Sequence, residues 1–242
     1  MNGAPTSIGR AFVAETLSPP ESFGIVEPQV YRSNLPNPLN FSFLRQLSLR
    51  TVLLLSQEIP TRVVTQFFDE NGIELVHLGL RAYKTPESTW RPCPEELVKD
   101  ALELVLTRST HPLLVCDASG IHAVGVLVGC LRKLLGWNLN SIVNEYRSYA
   151  GTKTRYVDEQ FIELFDTDLV HPPFDPDDAR QRSLLPPWYV DALQWDRDDR
   201  RQYADARQRG ALRPDHTTDD QVAAYQRYYF ALAAAPLCSE EE

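Results

Sequence analysis

The run HPLLVCDASGIHAVGVLVGCLRK, from His111 to Lys133, carries the reading of the fold. Its apolar opening, Pro112 to Val115, reads as a buried strand, Ser119 and Gly120 mark a short loop, and Ala123 to Leu135 reads as a helix. A loop between a buried strand and a helix start stacks its backbone N–H groups over the positive end of that helix. The result is a concave nest whose natural guest is a phosphate or another anion. Outward from this unit, between Phe23 and about Val170, Val/Leu/Ile runs alternate with amphipathic helical spacing such as Glu95 to Leu106. That alternation predicts an α/β fold with a short central parallel sheet flanked by helices.

The chain has 242 residues, 43% of them apolar, enough for one domain with a sizeable core and an extension. A net charge of −9 argues against nucleic acid or an anionic membrane as the main partner, and it repels highly phosphorylated ligands at long range. The four cysteines, Cys93, Cys116, Cys130 and Cys238, have no metal-ligand spacing, and without a basic stretch followed by an apolar one in the opening residues no secretory leader is expected. A reducing, cytoplasmic location is the expectation, without metal or cofactor. No apolar run approaches the roughly 20 residues that span a bilayer.

The His111–Lys133 run resembles the Cys-x5-Arg loop of the plant and fungal atypical dual-specificity phosphatases, which reads roughly His-Pro-x-Leu-x-His-Cys-x-x-Gly-x-His-Arg-Thr-Gly before a Gly-Cys-Leu-Arg-Lys helix. His111-Pro112 and Gly129 to Lys133 pin the match without a gap, and Gly120, His122 and Gly125 fall on family positions. The two catalytic positions do not match: Asp117 stands where the family has its nucleophilic Cys, and Ala123 where it has its Arg. Cys116 replaces the preceding His. The likeness extends over FGIVEPQVYRSNLPNPLNFSFL (Phe23 to Leu44), LRTVLLL (Leu49 to Leu55), NGIELVHLGL (Asn71 to Leu80), Gly136 to Gly151 and Asp158 to Asp166, roughly three fifths of the chain. Within the family it is most similar to the fungal oxidant-induced cell-cycle arrest group, which includes an inositol-pyrophosphate phosphatase and relatives with eroded sites.

The resemblance implies a thiolate that attacks phosphorus and an Arg fork that holds the equatorial oxygens. Both groups are missing here, so no catalytic residue is expected in the degenerate loop of Cys116, Asp117, Ser119, Gly120, His122 and Ala123. A carboxylate about 4 Å from a phosphate costs on the order of 4 kcal/mol per pair of like charges at an effective dielectric of about 20. Asp117 either folds back onto the loop's N–H groups as a built-in anion or is an ordinary solvated carboxylate. Read from Cys116 the spacing becomes Cys-x5-His, but that one-residue shift disturbs the strand's in/out alternation, and His122 lacks the guanidinium fork. The plain alternative for Cys116 is a small buried residue ending a strand.

The family's second functional segment, Gly-x-x-x-x-Lys-Glu-Pro-Phe, corresponds to Gly79 through Glu87, with Lys84 and Pro86 kept and Thr85 and Glu87 changed. Lys84 and His122 are the candidate anion contacts; no general acid is assigned. Arg132 and Lys133 suit the end of a helix. Tyr31, Tyr146, Tyr149 and Phe161 read as packing aromatics.

Residues 1–22 read as a flexible arm, 23–170 as the phosphatase-like domain, and 171–242 as a Pro/Asp/Arg-rich linker with a helical extension, opened by a capping box at Thr218 to Gln221. The aromatic residues Trp188, Tyr189, Trp195, Tyr203, Tyr225, Tyr228, Tyr229 and Phe230 either pack back on the domain or form a partner-binding surface, and a chain ending near Val170 is expected to keep its fold but lose its partners. The leading expectation is a pseudophosphatase, a binding or scaffolding subunit for active relatives, with a phosphorylated ligand as a further possibility. The rival is an active phosphatase acting on phosphotyrosine proteins or inositol pyrophosphates.

Overall fold

The computed structural model describes residues 17–82 and 93–208. Contacts divide the chain into two compact units, Met1–Leu193 and Gln194–Glu242.

In the first unit five strands form one sheet: β1 Gly24–Glu27, β2 Val30–Asn34, β3 Thr51–Leu54, β4 Glu74–His77 and β5 Leu113–Asp117, in the order β1-β2-β5-β3-β4. The pairs β2·β5, β5·β3 and β3·β4 are parallel, and only the edge pair β1·β2 is antiparallel. The expectation of an α/β fold built on a short, mostly parallel sheet therefore holds. Every residue of β3 and β5 is buried, as unbroken apolar runs at the centre of such a sheet require.

The helices are α1 Phe41–Gln46, α2 Arg62–Glu70, α3 Gly79–Ala82, α4 Glu95–Val105, α5 His122–Leu134, α6 Leu139–Ala150, α7 Tyr156–Leu164, α8 Ala179–Arg182 and α9 Pro187–Gln208. The period-2 alternation of β5 sends its side chains into two cores. Leu113 and Val115 join the larger one with residues of α4 and α5, while Leu114 and Cys116 join the smaller one with Leu44, Val64, Phe67 and Phe68 from α1 and α2. Helix α5 is buried from Val124 through Arg132, as its nearly all-apolar sequence demands. Two glycines one turn apart let its neighbours close in. A Cβ on Gly125 would lie 2.8 Å from the Tyr146 ring, and one on Gly129 would lie 2.5 Å from Ile162 Cδ1.

The stretch after Val170, expected as a linker, packs within the first unit. Leu185 and Tyr189 are buried in the larger core, and the Trp188 ring stacks on His111 at 6.3 Å between centroids. Arg108 N–H donates to the Leu184 carbonyl (3.0 Å), and the Arg108 guanidinium donates to that of Ser183 (3.1 Å). Prolines at 172, 173, 176, 186 and 187 break helical and strand regularity. They do not prevent apolar side chains between them from being buried.

In the second unit the described residues are the latter part of α9, an exposed polar helix laced by i,i+4 pairs such as Arg200 to Asp196 (2.9 Å), with Trp195 78% exposed. The capping box at Thr218 to Gln221, and Tyr225, Tyr228, Tyr229, Phe230 and Cys238, lie outside the described residues.

Candidate active site

The loop from Asp117 to Ala123 links the carboxyl end of β5 to the start of α5, where ligands gather in open α/β sheets. Asp117, 4% exposed, turns its carboxylate back into the loop. Oδ1 accepts from the N–H groups of Ser119 (2.7 Å) and Gly120 (2.5 Å) and from the Ser119 hydroxyl (3.1 Å), and Oδ2 accepts from Val124 N–H (3.0 Å). The residue before α5, Ile121, offers no side-chain cap, so a carboxylate seven residues upstream of Val124 fills that role and opposes the helix dipole. Ser119 Oγ in turn accepts from Ile121 N–H (3.1 Å). Val124, on the Thr position of the family pattern, contributes no hydroxyl, and Ala123 no donor beyond its backbone.

Gly120 fits because it is glycine. Its φ is +70°, and a Cβ there would lie 2.4 Å from Asn34 N and 2.6 Å from Ser33 C. We expect Gly120→Ala to destabilise the protein by about 2 kcal/mol or more, read as a lower urea midpoint at unchanged slope.

Cys116 has its side chain on the opposite face of the sheet, fully buried, and burial raises its thiol far above the ordinary value, with Asp117 adding to the rise. A thiol there is neutral and does not face the loop. The shifted Cys-x5-His register therefore finds no geometric support.

His122 is turned toward α7. Its Nδ1 donates to Asp158 Oδ2 (2.9 Å), which also accepts from the Tyr146 hydroxyl (2.6 Å), and the Tyr146 oxygen accepts from Arg155 N–H (3.2 Å). Tyr146, read from the sequence as a packing aromatic, is thus also part of a buried polar network. Its phenol is raised well above the ordinary value, first by burial and then by the bond to Asp158. Lys84 and the rest of the segment from 83 to 92 lie outside the described residues.

Arg32 was not singled out by the sequence reading. It is 1% exposed on β2, donates through Nη2 to the Gly120 carbonyl (2.9 Å) and lies with its guanidinium 3.7 Å from the Tyr149 ring centroid. Its Nε and Nη1 are buried without a protein partner, and burial lowers its pKa, partly offset by Tyr149, Glu145 and Asp117. The signal was a charged residue inside a short strand run, Val30-Tyr31-Arg32-Ser33, in a strand paired on both sides within the sheet. Arg132, expected only to oppose a helix dipole, is a buried tie. It forks onto Glu145, pairs with Glu27, and donates to the Val26 carbonyl. Among the described residues no three His, Cys, Asp or Glu side chains converge as metal ligands.

A strand-loop-helix nest at the carboxyl edge of a sheet ordered β1-β2-β5-β3-β4 is a phosphatase layout, and residues 17–183 match the family described as the tyrosine phosphatase family. The chain belongs to that family. This family member is 46% identical over 155 residues to the OCA1 protein of Mycosarcoma maydis, covering 64% of this chain and 96% of that one. It is 38% identical over 160 residues to the inositol diphosphatase DSP4 of Arabidopsis thaliana, with 66% and 79% covered. Among solved structures, the core catalytic domain of the PP-IP phosphatase SIW14 from S. cerevisiae superposes with a TM-score of 0.57 at 38% identity, covering 63% of this chain and 90% of that one. The kinship expected from the loop and its flanking strands is therefore shown. The match reaches Ser183, beyond the expected domain end at Val170.

Proposed function

We propose that this phosphatase-family protein is a pseudophosphatase, a binding or scaffolding subunit that keeps the shape of the loop and has lost thiol-based hydrolysis. One observation carries the reading: the nucleophile position holds a carboxylate that accepts the N–H groups of Ser119, Gly120 and Val124 and a hydroxyl, while the Arg position is Ala123. The nest that would cradle a phosphate already has an anion in it, and an incoming phosphate would face like charge at close range. The partners proposed are related phosphatase-family subunits, in the cytoplasm, where free buried thiols such as Cys93, Cys116 and Cys130 persist. Among the described residues no helix is long and apolar enough to cross a membrane.

Kinship taken alone favours a second reading, an active phosphatase on phosphotyrosine or diphosphoinositol substrates, since the similar DSP4 is named an inositol diphosphatase and SIW14 a PP-IP phosphatase. The two separate in a turnover assay on an aryl phosphate and on an inositol pyrophosphate, run beside Cys116→Ser. We expect no hydrolysis above the uncatalysed background. Turnover abolished by Cys116→Ser would overturn the pseudophosphatase reading, and turnover that survives it would show a mechanism without a loop thiol. Affinity purification from the native cell tests the scaffold role, with recovery of active family members as the expected result.

A further inference from the structure

The sheet has a second, opposite end. Gln29, Arg50 and His111 stand just before the parallel strands β2, β3 and β5, so the topology gathers them at the amino edge. Asp117 ends β5, and six residues of extended chain place it roughly 20 Å from His111. Arg108 and Ser109 on the turn before β5, and Phe174, Ser183 and Leu184 from the stretch after Val170, complete the walls of a cleft of about 360 Å³. That volume lies in the range of small-molecule sites.

The charges in this cleft are unbalanced. Arg50 donates through Nη1 to the Ser109 carbonyl (2.9 Å), and Arg108 through Nη1 to the Ser183 carbonyl (3.1 Å). Neutral carbonyls orient the two guanidinium groups without neutralising them. Among the described residues neither has a carboxylate partner, as is also true of Arg45, Arg155 and Arg182; Arg50 and Arg108 differ in lining one cleft together. His111 forms a wall and not a third charge. Its Nε2 is on the Val105 carbonyl (2.8 Å), its ring is stacked on Trp188, and burial holds its pKa below the ordinary value. Gln29 sits at φ +67°, a conformation non-glycine residues seldom adopt.

We propose that this cleft binds a small phosphate-bearing molecule, its dianionic head held between Arg50 and Arg108 and its remainder against Phe174 and Leu184. Two unneutralised guanidinium forks match the charge and the multiple oxygens of a phosphate, which a single carboxylate does not. Ser109 and Gln29 stand beside them as neutral donors. The site is separate from the Asp117 loop, and its occupancy does not depend on whether that loop catalyses anything.

The test is a titration of the full-length protein with inorganic phosphate at constant ionic strength, followed by amide and arginine side-chain NMR, and repeated on Arg50→Gln/Arg108→Gln. The expected result is saturable shifts at Arg108, Ser109 and Leu184 and at the Arg50 side chain, with affinity at least about tenfold weaker in the double variant. Both arginines are exposed, so the variant's spectrum should otherwise overlay the parent's, and Arg50→Lys supplies a milder control that keeps charge and loses the fork. Shifts that do not saturate, that are confined to Ser119 to Val124, or that persist with unchanged affinity in the double variant would overturn the proposal.

Discussion

Ending the chain at Val170 should abolish the cooperative fold. The cut removes Leu185 and Tyr189 from the larger core and Trp188 from its stack on His111. It also frees the Arg108 N–H that the Leu184 carbonyl accepts. Losing a buried Leu or aromatic side chain costs about 2–5 kcal/mol each. The sum rivals the 5–15 kcal/mol that typically separates a folded domain from its unfolded chain. Near-ultraviolet circular dichroism and a urea melt of residues 17–170 beside residues 17–193 read the difference, and a retained cooperative transition in the shorter chain would show that the packed segment is dispensable. Point variants give a graded version: Leu185→Ala and Tyr189→Ala should each lower stability by about 2–4 kcal/mol. The opposite outcome was the expectation from composition, which saw five prolines and dense charge and read a linker.

The second large effect concerns the loop chemistry. Asp117→Cys alone should leave hydrolysis of an aryl phosphate at background, because a thiolate without a guanidinium at residue 123 has nothing to hold the equatorial oxygens of the transition state. The pair Asp117→Cys with Ala123→Arg should exceed the single variant by at least about 10²-fold, the loss commonly seen when one preorganised oxyanion donor is removed. Single-turnover kinetics on matched preparations would measure the ratio. Substantial turnover by the single variant would mean that another donor, with Arg32 the nearest buried guanidinium under the loop, already does that work.

The sheet and its central helix were legible because their signals are local. The apolar run of β5, the loop residues Ser119 and Gly120, and the all-apolar α5 each announce themselves within a dozen residues. The edge strand β1 pairs antiparallel because only Pro28 and Gln29 separate it from β2, a tight turn inside the segment read as one opening strand. The site was legible in part: the replacement of Cys and Arg can be read directly, and the folded-back carboxylate was one of two readings held open. What escaped depends on distant chain segments meeting. Arg32 approaches Gly120 across 88 residues and Asp158 approaches His122 across 36, so neither contact leaves a periodic trace. The stretch after Val170 was legible in part: the aromatic residues Trp188 and Tyr189 left packing on the domain open beside a partner surface, while the prolines and charges around them read as a linker, since a few apolar residues matter only against a core built elsewhere.

Asp117 also bears on how this loop can change over time. As a carboxylate it satisfies donors of the turn and caps α5, and hydrogen bonds to a charged group contribute roughly 1.5–3 kcal/mol each. A return to the thiol therefore gives up part of that stability at the first step, and the matching Ala123→Arg change restores nothing to the vacated donors. On the prediction made above, neither step alone brings a catalytic gain to offset the loss. On the pseudophosphatase reading proposed above, the carboxylate acts as a ratchet: the step to a hydrolase crosses an intermediate that has given up the hydrogen bonds of Asp117 and lacks the guanidinium.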